Sequence, residues 1–239
     1  MRVKSVVCIV VVGMSVLTAD SGCSQNSTPP AIAPAASPPG AAAPTPMGGQ
    51  VIGQIGSGEL TGHTYTHQHF KLSVNIPDEW YIQKKSEVEQ MTQAGSAMVQ
   101  DPNTKAAALA AQERTLPLVS AFRHPPGTPG PFNSSMIVMA ENVGFLPGLK
   151  QGQDYLQLIQ KTMSGIAIKY DFDPIETGLK SGSLPADRLR AHTQIGGQKV
   201  NQEYYAARTG DYFLVVILSY SDDPDLETLR TVLESMKAG

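Results

Sequence analysis

The chain has two cysteines in 239 residues, and both lie within its first 23 positions, at Cys8 and Cys23. Nothing after Cys23 can form a disulfide, a thiolate metal site or a thiol nucleophile. Aromatic residues make up 6 % of the chain and tryptophan occurs once, as Trp80. Charged residues are sparse at 16 %, and no stripe of Lys and Arg marks a nucleic-acid surface. No apolar run reaches the roughly 20 residues that a bilayer-spanning helix needs. Three catalytic signatures are also missing from the sequence. It has no Gly-x-Ser-x-Gly elbow, no His-Glu-x-x-His and no glycine-rich phosphate loop followed by Lys and Ser/Thr.

What is present begins with a leader. Arg2 and Lys4 form a short cationic start, and Ser5 to Leu17 is an apolar run of signal-peptide length. Gly22-Cys23 follows. This order resembles a bacterial lipoprotein signal, which implies cleavage after residue 22 and lipid attachment at Cys23. Asp20 stands where such signals carry a branched apolar residue, so plain export as a soluble protein is the alternative. Several acyl chains on one cysteine would hold the chain firmly at a cell membrane or outer membrane, facing away from the cytoplasm.

From residue 23 to 58 the composition is Pro, Ala, Gly, Ser and Thr. Such a stretch buries too little apolar surface to offset its chain entropy and is expected to be a disordered tether. Residues 59–239 have the size of one globular domain. Loss of residues 1–22 takes away Arg2, Lys4 and Asp20, shifting the net charge from -3 to about -4.

Within the domain, Phe70, Leu72, Val74 and Ile76 alternate with polar residues, the period of a half-buried strand. Pro77 ends it and Trp80 is expected in the core. Val88, Met91, Ala94 and Met98 predict a helix over Ser86–Gln100, and Thr104–Arg114 a second. Leu116–Phe122 and Met136–Ala140 read as strands, Asp154–Ile166 as a helix. Ala186–Thr193 and Gln198–Ala207 are strands joined by a Gly196-Gly197 hairpin turn. Tyr212–Tyr220 is apolar on both faces and is expected at the centre of a sheet. Asp223 is expected as N-cap of a last helix with Pro224 at its first position, burying Leu226, Leu229, Leu233 and Met236. This order gives an α+β domain, a mostly antiparallel sheet with helices on both faces, an α/β/α sandwich.

Two stretches then resemble a known superfamily. "FKLSVNIPDEW" is similar to the opening strand of PsbP-like domains. "QEYYAARTGDYFLVVILSYSDDPDLETLRTVLESM" is similar to their closing hairpin and helix. That superfamily includes DcrB-type and LpqN-type envelope lipoproteins. The resemblance implies the sandwich fold and a role in binding or assembly, with no shared catalytic residues to carry over.

The candidate chemistry is confined to a few clusters. Three of the five histidines, His63, His67 and His69, fall within seven positions. Extending the strand parity back from Phe70 puts all three on one face, opposite the buried set. Two imidazoles on a strand can begin a zinc or copper site; Glu59 is the only acid close by. The same geometry fits the exposed polar face of an edge strand, and that reading is preferred, with the metal site as its rival. Ser96 lies within a helix and lacks the second elbow glycine. Asp171, Asp173 and Glu176 could share acid–base work or form a solvated loop before Pro174, the reading taken here. Arg188 and Arg190 flank Leu189 and are expected on an outer face. The sequence therefore predicts a non-enzymatic, membrane-anchored envelope protein that binds a protein or small ligand, without catalytic residues, cofactor, metal or nucleic-acid partner.

Overall fold

The structure, a computed structural model, describes residues 55–88, 90, 112–130, 132–164 and 168–238. The leader, Cys23 and most of the expected tether lie outside the described residues. So do Ser96 and most of the two helices expected over Ser86–Gln100 and Thr104–Arg114. Residues 85–88 form the first helical turn of that segment. Among the described residues, no helix is long and apolar enough to cross a membrane.

Among the described residues, eleven strands and two long helices follow in order. Strands β1 (Glu59–Thr61), β2 (Thr64–His67) and β3 (Leu72–Asn75) form a small antiparallel sheet. Strands β4 (Tyr81–Ile82), β5 (Thr115–Phe122), β6 (Ser135–Asn142), β7 (Asp171–Phe172), β8 (Glu176–Ser181), β9 (Leu184–Ile195), β10 (Gln198–Thr209) and β11 (Tyr212–Tyr220) form an eight-stranded one. Its order is β4-β5-β6-β11-β10-β9-β7, with β8 paired to β9, and every pairing is antiparallel. Helix α1 (Gly152–Met163) and helix α2 (Asp223–Ser235) complete the chain.

All nine residues of β11 are buried, as its two-faced apolar run requires of a central strand. Its odd positions Phe213, Val215 and Ile217 pack with Tyr155, Leu156, Ile159 and Met163 of α1. Its even positions face Leu229, Val232 and Leu233 of α2 together with Tyr65, Leu72 and Val74 of the small sheet. Among the described residues, one helix thus covers each face, and the α+β sandwich expected from the sequence is the observed architecture. Gly196 and Gly197 turn β9 into β10 with φ of 57° and 83°, the left-handed pair that a two-residue hairpin demands. The N-cap of α2 is Asp222, whose carboxylate accepts from the Asp225 N–H at 3.1 Å. Asp222 keeps an extended backbone while Asp223 is already helical, so the expected cap shifts by one residue.

Candidate functional site

The histidine cluster does not survive folding as a face. The chain does not run straight from His63 to Ile76; it reverses at residues 68–71, where the Lys71 N–H donates to the Gln68 carbonyl at 3.1 Å. Lys71 has φ of 46°, a left-handed conformation unusual for a residue with a side chain. The reversal resets the side-chain alternation. His67 pairs with Leu72 and points with it into the core, 2 % exposed, against the expected outer face. His67 and His69 sit on either side of Phe70, with ring centroids 4.9 and 4.8 Å away. His69 is exposed and His63 half-buried. Burial holds the His67 imidazole below its ordinary 6.5, and His69 adds to that effect. Among the described residues, no group of three or more His, Cys, Asp or Glu is placed to hold a metal ion.

Arg188 and Arg190 share a face, as expected, but that face is not outer. Both turn toward the α2 side of the sheet, where their side chains are 11 % and 32 % exposed. They converge on Glu203, which is 1 % exposed and lies opposite Arg190 on β10. Arg188, Arg190 and Arg230 approach its carboxylate at 3.4, 3.5 and 3.0 Å. The Tyr205 hydroxyl donates to it at 2.7 Å. Glu176 binds Arg188 through both oxygens at 3.0 and 2.8 Å and reaches Arg190 at 3.1 Å. Asp173 completes the chain to Arg190 at 3.6 Å and to His192 at 3.4 Å. Two of the three expected loop carboxylates are thus neutralised by arginines, whereas Asp171 is exposed in β7. Three guanidiniums balance three carboxylates, so the cluster knits β8, β9, β10 and α2 together rather than presenting free charge.

The feature that can take up a molecule lies at the other end of the sheet. A cavity of about 370 Å³ opens between the small sheet and the edge formed by β4 and β5. Leu60 and Tyr65 wall it on one side, and Ile82, Val88, Leu116 and Leu118 on the other. Local sequence builds each wall. In β5 the register slips between Pro117 and Val119, a bulge that places one extra residue on the strand. Leu118 and its neighbour Val119 consequently both join the apolar cluster on this side. Tyr65 is drawn close to the chain at Gly58, where any β-carbon would strike its ring. Burial pushes its hydroxyl up to about 12, partly opposed by a hydrogen bond with the Gly58 backbone. Leu60, half exposed, is one of only two large apolar residues on the described surface.

A volume near 370 Å³ falls at the lower end of the range for small-ligand pockets, and apolar walls with a few polar groups are their usual composition. The sequence reading missed these residues. Alternation inside β5 is broken by the bulge, and Leu60 sits in a three-residue strand too short to show a period. The proline inside an apolar run, Leu116-Pro117-Leu118, was the available signal, since proline within a strand marks an edge or a bulge.

No sequence-family model and no curated protein matches this chain. Solved structures that resemble it include LpqN of Mycobacterium tuberculosis, involved in cell envelope biogenesis. LpqN shares 12 % identity over 70 % of this chain and 82 % of that one, with a TM-score of 0.39. Cyanobacterial PsbP of Synechocystis shares 11 % identity over 74 % of this chain and 91 % of that one, with a TM-score of 0.43. An immunity protein of Pseudomonas aeruginosa, complexed with a peptide, shares 12 % over 74 % and 98 %, with a TM-score of 0.35. An LpqN structure and a PsbP structure are both among the solved structures similar to this chain.

Proposed function

We propose that this chain is a non-enzymatic binding module of the bacterial envelope. Cleavage after residue 22 and lipid on Cys23 anchor it outside the cytoplasm. The Pro/Ala/Gly-rich stretch up to residue 58 is the tether that lets the domain stand off the membrane. The domain captures an apolar ligand in the cavity between β1, β2, β4 and β5. The observation that supports this most is the cavity itself, about 370 Å³ with apolar walls supplied by two sheets. A folding core excludes such space, because voids there lose dispersion contacts. The neutralised cluster around Glu203 is the contrasting case: there, every carboxylate in the network meets a guanidinium.

Exchange of Cys23 for Ser tests the anchor, and should move the chain from the membrane pellet to the soluble envelope fraction. The chain released in this way can be purified without detergent and examined by native mass spectrometry. It should carry a bound apolar molecule, and Leu116→Trp should strip that molecule by filling the cavity. Retention of Cys23→Ser in the pellet would end the anchoring part. An empty chain with Leu116 intact would end the binding part.

A further inference from the structure

We infer that the cavity takes a single-chain amphiphile with a carboxylate head, its tail against Leu116 and Leu118 and its head against Lys85. This rests on the reading of the cavity as a binding site and adds the chemical class of what enters it. Among the described residues, Lys85 is the one charged side chain that lines the cavity, and no acid lines it. The lysine is exposed and forms no ion pair among the described residues. Its nearest acid in sequence is engaged elsewhere. Both oxygens of Glu87 accept from the Tyr81 hydroxyl, at 2.7 and 2.8 Å, and one also accepts from the Lys84 N–H at 2.9 Å. Glu87 is therefore turned toward β4, which leaves the ammonium of Lys85, among the described residues, without an acidic partner at the edge of an apolar space.

Size narrows the ligand further. At 370 Å³ the cavity lies at the lower end of the range for small-ligand pockets. One medium acyl chain fits, whereas the two chains of a membrane phospholipid do not. The edge of β5 argues against an extended peptide as occupant. Pro117 has no N–H to offer an added strand, a common way of blunting a sheet edge.

Isothermal titration of the full exported chain, as Cys23→Ser without detergent at pH 8, compares dodecanoate with dodecanol. The carboxylate should bind about two- to fivefold more tightly, the range of an exposed ion pair. Lys85→Gln, an exposed change that leaves the fold intact, should bring the two ligands to equal affinity. Leu116→Trp should weaken both. Equal affinities in the chain that retains Lys85, with both ligands lost in Leu116→Trp, would overturn the carboxylate head and leave the cavity reading standing. Absence of binding by either ligand would overturn both.

Discussion

Replacing Glu141 by Gln perturbs a carboxyl that the fold seals from water. Glu141 lies at the end of β6, opposite Phe213 of β11 and Thr115 of β5, and is 1 % exposed. The Tyr155 hydroxyl of α1 donates to it at 2.6 Å, and Arg114 stands 3.7 Å away. Burial dominates and lifts the carboxyl from 4.5 to about 7, with Tyr155 and Arg114 pulling in the other direction. The folded state therefore holds this proton more tightly than the unfolded chain. Its contribution to stability is complete below pH 4.5 and is lost as pH rises through about 7. That interval amounts to about 3 kcal/mol, at roughly 1.4 kcal/mol for each tenfold change in proton affinity.

A glutamine side chain at this position carries no titrating proton and keeps an oxygen for Tyr155. The stability of Glu141→Gln minus that of the unaltered chain should therefore climb by about 3 kcal/mol between about pH 4.5 and 7.5. Taking the difference cancels the other carboxylates, whose contributions add independently at a distance. Urea unfolding followed by fluorescence measures it, because Trp80 is the sole tryptophan and is buried at 3 %. Parallel profiles for the two proteins would refute the reasoning.

Four further changes test other parts of the structure by the same assay. Glu203→Gln leaves Arg188, Arg190 and Arg230 without their shared carboxylate and should cost about 3–5 kcal/mol, whereas Arg230→Ala, at a side chain 42 % exposed, should cost under about 1 kcal/mol. Gly182 has φ of 58°, and a β-carbon there would collide with the Met236 carbonyl; Gly182→Ala should destabilise on the order of 3 kcal/mol. His67→Leu removes an imidazole that prefers to be neutral when folded. Since that preference favours folding above pH 6.5 and is lost as pH falls, the variant should gain on the unaltered chain below pH 6.5 and not above it.

Much of this architecture is legible in the residues. The alternation of Phe70, Leu72, Val74 and Ile76 gives four positions that are all buried. The glycine pair places the β9–β10 hairpin, and the run from Tyr212 to Tyr220 gives the central strand. Periodicity fails where phase is lost. The left-handed turn ending at Lys71 inverts the alternation, so parity carried back from Phe70 assigns His67 to the wrong face. The β5 bulge hides the cavity wall in the same manner. The Glu203 cluster was within reach: equal steps outward from Gly196-Gly197 pair Arg190 with Glu203 and Arg188 with Tyr205. What no local pattern carries is α2 returning over that face to bring Arg230 onto the same carboxylate.

Methyl NMR of the Cys23→Ser chain, titrated with dodecanoate, tests the central claim most directly. The methyls of Leu60, Ile82, Leu116 and Leu118 should shift together and saturate with one ligand. Those of Ile137, Ile159 and Ile217, packed on the α1 face, should stay in place. Shifts confined to the α1 face, or none at all, would contradict the account.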